Sequence, residues 1–403
     1  MSQPLPGGLV LRTAQPADLD QIASLLTERG DAADAVDHRL IVADPDAGWE
    51  SCAVVADGDR IVSTATLLDE TLVLGGVPIP AGQVELVATD RAYEGRGLVR
   101  ALMGWAHERS QRRGQLVQMM IGIPYFYRQF GYQYSIVLPQ ARAVQTVPPR
   151  SDGHTVRRAG PDDIAAMTNL QDATQRAYDL SMPHSPACWR WLVTRAGSIQ
   201  LLVERDGVEV ATGRVTPPDE GDVVLGEVAA VDPAAACALL AHAATRTGGG
   251  DLAVQERPGC VGADALDRFL TPPPRQAERY YIRISDVVTL LDHLRPVLSA
   301  RLAASDLADD SGEAIVSFFR QHVRLPYAKG TVAEVQTGGR MQAPGTVGGA
   351  GVAPDMVGPL LFGPYGIGGL AERHADVYPG RNDDLMRTLF PPVHADLLTF
   401  YLP

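Results

Sequence analysis

Between residues 83 and 89 apolar Val84, Leu86 and Ala88 alternate with Glu85, Val87 and Thr89, a period of two that predicts a strand. Gly95-Arg96-Gly97 breaks that pattern. Leu98, Ala101, Leu102 and Trp105 then recur at helical spacing, with Arg100, His107, Glu108 and Arg109 mostly on the other face. Upstream, the same reading predicts a strand at 11–14, a helix opened by Pro16 and carrying Leu19, Ile22, Leu25 and Leu26, and strands at 52–56 and 61–68 joined by a tight turn. Another hairpin arm is expected at 71–80, and 28–39 reads as a polar, solvated segment. Downstream come a strand, an aromatic turn at 126–132 and a closing strand at 135–144. The order predicts an α/β fold built on mixed sheets.

A proline-rich breaker at 147–153 is followed by a return of the opening pattern. Residues 11–19 resemble 156–164, the strands at 199–204 and 208–215 echo the first hairpin, and 226–232 echo 83–90. There the likeness loses its loop, because 233–244 runs straight into an alanine-rich helix without glycines. Three echoes in the same order favour duplication. A second breaker, Thr271-Pro272-Pro273-Pro274, opens a third region with a strand at 280–284, an amphipathic helix at 287–303, a glycine-rich stretch at 338–351 and an apolar ending at 396–403. The expected units are 1–146, 154–272 and 278–403.

A glycine loop that opens a helix gathers unpaired backbone amides and the positive end of the helix dipole at one point, a place for an anion. Each such contact gives only ~0.3–1 kcal/mol when exposed, so several must converge. The dinucleotide fingerprint fails, since Arg100 stands where its third glycine belongs, and no mononucleotide P-loop occurs. What remains, Glu94-Gly95-Arg96-Gly97-Leu98-Val99 followed by Phe126-Tyr127-Arg128-Gln129-Phe130-Gly131-Tyr132, resembles the acetyl-CoA loop and the F-Y-x-x-x-G-[FY] turn of the GCN5-related N-acetyltransferase (GNAT) superfamily. The three-part plan resembles its Eis-like branch, which implies an active acetyltransferase domain, a degenerate second one and a C-terminal domain similar to sterol carrier protein 2.

That resemblance implies acetyl-CoA as co-substrate, with no metal. Its pyrophosphate would lie on Glu94, Gly95, Arg96, Gly97, Leu98, Val99 and Arg100. Its pantetheine and acetyl carbonyl would lie along Leu86, Val87, Ala88 and Thr89, on a strand splayed near a bulge. Tyr127 takes the general-acid position of the aromatic turn, with Tyr125 as the fallback. For the base, the resemblance offers Glu85, placed on the same side of its strand as Val87 and Thr89, or the terminal carboxylate of Pro403. Asp31, Asp34 and Asp37 are either an acceptor pocket or a solvated loop. Two positions depart from the superfamily pattern. Glu94 brings a negative charge to the pyrophosphate site, offset by Arg96 and Arg100, and Val99 brings bulk where glycine or alanine is usual.

Composition narrows this picture in three ways. With 403 residues the chain exceeds one core. A net charge of −13 argues against a general nucleic-acid binder and suits a cationic substrate. Cys52, Cys188, Cys237 and Cys260 are scattered without zinc-site or disulfide spacing, the first residues lack a signal-peptide pattern, and no long apolar run offers a membrane span. The expectation is a cytoplasmic N-acetyltransferase acting on a small, cationic primary amine, with homo-oligomerisation implied by the resemblance alone. A non-catalytic acyl-CoA or lipid-binding module and a transferase for longer acyl groups are the alternatives.

Overall fold

The computed structural model describes residues 2–150, 152–195, 197–216, 223–247, 250–275 and 277–398. The first unit contains β1 (Ser2–Pro4), β2 (Val10–Thr13), α1 (Leu19–Arg29), α2 (Ala32–Ala43), β3 (Cys52–Asp57), β4 (Arg60–Leu74), β5 (Val77–Thr89), α3 (Leu98–Arg112), β6 (Val117–Met120) and β7 (Gln133–Pro139). Strands β1 to β6 lie side by side in chain order. The long β4–β5 hairpin is antiparallel, whereas β5 and β6 are parallel and touch only from Ala81–Val117 to Gln83–Met119. One face of the sheet packs Cys52, Val54 and Leu68 against Ile22, Leu25, Leu26 and Ile41 of α1 and α2. The other packs Ala53, Val55, Leu67 and Val84 against Leu98, Leu102 and Trp105 of α3.

Local chemistry sets the helix starts. Arg12 grips Asp18 at 2.6 and 2.8 Å, and Asp18 also accepts the Gln15 amide at 2.8 Å, which fixes the turn into α1. The segment read as a solvated loop is instead mostly α2. Asp31 caps it by accepting the Asp34 amide at 3.2 Å, and Asp37 is buried in a two-pronged ion pair with Arg195 at 2.7 and 2.8 Å. A polar sequence hides that helix because its buried face carries Asp37 and His38 beside Ile41 and Val42.

The second unit holds β8 (Ala141–Ala143), β9 (His154–Arg158), α4 (Ile164–Gln175), β10 (Leu180–Met182), α5 (Pro186–Thr194), β11 (Ile199–Arg205), β12 (Val208–Val215), β13 (Val223–Ala230), α6 (Pro233–Ala243), β14 (Leu252–Gln255) and α7 (Val261–Leu266). Its sheet runs β8-β14-β13-β12-β11-β9. The echo extends to side chains: Arg157 holds Asp163 at 2.8 Å through both nitrogens, and Asp163 accepts the Gly160 amide at 2.9 Å, repeating the Arg12–Asp18 clamp.

Strand pairing crosses the expected unit boundaries in both directions. β8 leaves the first unit to pair with β14, while residues Ala277–Ile284 return to the first sheet and lie between β6 and β7. The closing strand expected at 135–144 is therefore split between two sheets.

The third region consists of β15 (Ala277–Ile284), α8 (Val287–His293), α9 (Arg295–Ala303), β16 (Ser311–Ser317), β17 (His322–Ala328), β18 (Thr331–Val332), β19 (Gln336–Gly338), β20 (Ala350–Val352), α10 (Val357–Phe362), α11 (Gly366–Ala371), β21 (Val377–Tyr378), α12 (Asp383–Leu389) and β22 (Ala395–Leu397). Leu290, Leu298, Val316, Leu360 and Phe362 continue the core of the first sheet through Leu72, Ile79, Met119, Ile136 and Ile282. β22, the last described strand, runs parallel to β10, which in turn flanks β4. Among the described residues no helix is long and apolar enough to cross a membrane.

Candidate active site

The site forms where β5 parts from β6. Thr64 faces Ala88 and Thr66 faces Glu85, so β5 uses one residue more than β4, and the surplus falls at Leu86, whose φ is 53°. This is a bulge. Beyond Gln83 the outer edge of β5 has no strand partner among the described residues, which leaves main-chain groups of 85–89 on that side outside the ladder where β5 and β6 part. The bulge also reverses the side-chain alternation. Leu86 and Ala88 pack toward α1 and α2, and Val87 packs toward α3. Glu85, bonded to Gln83 at 2.6 Å, lies opposite Val84 and so does not share a side with Val87 and Thr89 as its sequence position implied. The hydroxyl of Thr89 is engaged with Ser63 at 2.7 Å, so its main chain is what remains for a ligand.

At the wide end of the opening, Gly95 and Gly97 take φ of 74° and 80°, a region costly for residues with a Cβ, and nothing lies within 4 Å of where such an atom would sit. Gly97 precedes α3, and among the described residues no side chain caps the first amides of that helix. Leu98 is buried in the core and Val99 packs against it, so their bulk points away from the loop and only their amides face it. Glu94 is drawn aside by Arg29 of α1 at 2.6 Å. That pairing answers the repulsion expected from its sequence position. Arg96 lies over the Tyr93 ring at 4.5 Å, and Arg100 bonds Gln129 at 2.8 Å, tying the helix to the aromatic turn.

That turn, Phe126–Phe130, is a 3-10 helix between Tyr125 and Gly131, with φ of 69° and 88°. Tyr127 is buried at 6% exposure among Phe126, Phe130, Tyr132 and Tyr281, and its hydroxyl has no hydrogen-bond partner among the described residues. Burial, then the nearby Glu85, pushes its pKa up to about 12, so it stays protonated. Its ring rests on the bare Cα of Gly122, where an added Cβ would fall 2.3 Å from Cε2. Tyr125, the fallback, is 73% exposed and stacks with Arg128 instead.

Glu85 keeps part of its surface, but dense packing outweighs it: burial, with Asp34 and Asp37 adding repulsion against the Gln83 bond, pushes its carboxyl up to about 8. Burial likewise lifts Asp37 to about 6 against the pull of Arg195. Pro403 lies outside the described residues. Gly122, Arg29 and the buried Glu70 of β4 belong to this neighbourhood and carried no motif. Among the described residues no group of three or more His, Cys, Asp or Glu could hold a metal ion.

The second unit repeats the bulge and closes it. Thr212 faces Ala229, Arg214 faces Gly226, and Glu227 takes φ 54°. Glu227 pairs with Arg214 and His184, both at 3.0 Å, and Arg257 donates to the Val228 carbonyl at 3.1 Å where the first unit is open. The start of α6 is occupied by Asp232, which accepts the Ala235 amide at 2.9 Å. The chain's own groups thus fill both halves of an anion and thioester site.

Residues 11–135 match the family model described as an acetyltransferase (GNAT) domain. Solved structures share the whole architecture. A GCN5-related N-acetyltransferase from Kribbella flavida is 19% identical, covering 98% of this chain and 100% of its own, with a TM-score of 0.68. Another from Anabaena variabilis is 13% identical, covering 96% and 97%, with a TM-score of 0.69. Eis1 from Mycobacterium abscessus is 15% identical, covering 96% and 99%, with a TM-score of 0.61. No curated protein matches the chain. The fold is that of the GNAT proteins, and the match over 11–135 supports a transferase that uses acyl-CoA.

Proposed function

We propose that the protein transfers the acetyl group of acetyl-CoA to a primary amine of a small cationic molecule, by direct attack with both substrates bound. One juxtaposition supports this reading: Val87 beside the unpaired edge of β5, Leu98 and Val99 at the glycine-opened start of α3, and Tyr127 all belong to or pack against one cluster of the first unit, while the corresponding main chain of the second unit is bonded by Arg257.

Acetyl transfer to an amine needs a neutral amine, support for charge on the thioester oxygen and a proton for the departing sulfur. The amides of 95–100 fit a diphosphate, with Arg96 and Arg100 adding positive charge. Main-chain groups of Val87 and its neighbours hold the acetyl oxygen. Tyr127 keeps its proton at neutral pH and gives it to sulfur. Glu85, ionised as pH rises through about 8, takes a proton from the amine. The carboxylate of Pro403 is the rival base, and removing Pro403 separates the two. Acidic side chains at 34, 70 and 85, none of them paired with an arginine among the described residues, favour a cationic acceptor.

The test is thiol release from acetyl-CoA across a panel of amines, repeated with propionyl- and malonyl-CoA. Amine-dependent release supports transfer, and the three donors rank the acyl group. Tight acyl-CoA binding without release on any amine would make the protein a binding module.

A further inference from the structure

We propose that Glu70 of β4 holds a second ammonium group of the acceptor, so that the reacting amine is one end of a molecule with two cationic nitrogens; this rests on the acetyltransfer reading above. Among the described residues the buried carboxylates are Asp18, Asp37, Asp44, Glu70, Glu227 and Asp396. Arginine meets five of them: Arg12, Arg195, Arg190, Arg214 and Arg257 pair with Asp18, Asp37, Asp44, Glu227 and Asp396. Glu70, at 9% exposure, has neither an arginine nor a hydrogen bond among the described residues. Unlike Oε2 of Glu227, its oxygens are not completely sealed from the surface.

A buried carboxyl without a partner is expensive to ionise, and the fold satisfies every other one. Among the described buried carboxylates Glu70 alone lacks an internal cation, so a cationic group from outside is the partner assigned to it. Strand register points the same way. Glu70 faces Ala81, Thr66 faces Glu85, and pairing is regular between them, so Glu70 and Glu85 lie on one face of the hairpin with Leu68 and Gln83 between. Four residues of strand place the two positions roughly 13 Å apart, less whatever the side chains lean inward. Asp69 points to the opposite face, where Gln115 bonds it at 2.6 Å and Arg113 at 2.5 Å. Burial, then Asp69 and Glu85, pushes Glu70 up to about 8, and an arriving ammonium would reverse that shift. Glu85 takes the reacting end and Glu70 the far end.

Full-length wild type, Glu70→Gln and Glu70→Asp are compared for thiol release from acetyl-CoA on α,ω-diaminoalkanes of increasing length and on monoalkylamines of matched length. Wild type should favour diamines. Glu70→Gln should lower the diamine-to-monoamine ratio of kcat/KM roughly tenfold, the size of one lost charge-assisted hydrogen bond, mostly through KM. Glu70→Asp keeps the charge on a shorter stem and should move the optimum to a longer diamine. A ratio unchanged by Glu70→Gln overturns the assignment while leaving transfer intact. If no amine releases thiol, the transfer reading fails, and calorimetry of the diamines on wild type and Glu70→Gln still decides: tighter binding to wild type supports the subsite, equal or absent binding removes it.

Discussion

Replacing Gly122 by alanine should disable the proposed acid without touching it. The new methyl would lie 2.3, 2.7 and 3.3 Å from Cε2, Cδ2 and Cζ of Tyr127. Carbon atoms prefer about 3.5–4.0 Å, so the ring must retreat by roughly 1 Å or more. It has little room, because Phe126, Tyr281 and Phe130 hold it at centroid distances of 5.1, 5.9 and 6.3 Å. Overpacking of this kind costs about 1–3 kcal/mol of stability. A misplacement near 1 Å at a reacting group costs roughly 100-fold in rate. Steady-state thiol release should therefore show kcat down about 100-fold, with KM for acetyl-CoA little changed because the phosphate loop is untouched. If displacement of Tyr127 is the cause, Gly122→Ala should add little to Tyr127→Phe, the signature of residues acting as a unit. Full turnover in Gly122→Ala, or an undiminished loss when it is added to Tyr127→Phe, would refute the reasoning.

Three further outcomes follow from the geometry. Because the Glu85 carboxyl is held up at about 8, its base form accumulates as pH rises, so wild-type kcat/KM should climb through about pH 8 and Glu85→Gln should lose that limb; equal profiles would exclude the role. Arg29→Ala frees the charge of Glu94 beside the phosphate loop and should weaken acetyl-CoA binding a few-fold, as expected for a surface pair, with Glu94→Gln restoring it; unchanged affinity in Arg29→Ala contradicts the shielding. Residues 1–150 expressed alone lack the strand Ala277–Ile284 that lies between β6 and β7, so they should fail to unfold cooperatively in a thermal melt; a cooperative, acetyl-CoA-stabilised fragment would contradict that dependence.

Features that depend on neighbours in sequence were legible in it. The glycine loop, the start of α3 and the aromatic turn are local chemistry, and the likeness of 11–19 to 156–164 marked the two segments that each hold an Arg–Asp clamp. Features that depend on distant pairing were not. The resemblance implied a bulge on this strand, but its place at Leu86 depends on how β4 meets β5, and it reverses the side Glu85 occupies. Helix α2 reads as polar because its partner for Asp37 is Arg195, far down the chain. The exchange of β8 and β15 between sheets leaves no pattern in either strand. Glu70 sits in a strand of ordinary alternation, and its distinction is a missing arginine, which only three-dimensional neighbours can reveal.

The account turns on Tyr127 serving the sulfur of a bound acetyl-CoA at the parted strands. Its most direct test is acetyl-CoA affinity and amine-dependent thiol release measured on the same preparations of wild type and Tyr127→Phe. Affinities within about twofold and turnover slowed roughly 100- to 10,000-fold, the range of a lost general acid, are predicted. Equal turnover by the two proteins would contradict it.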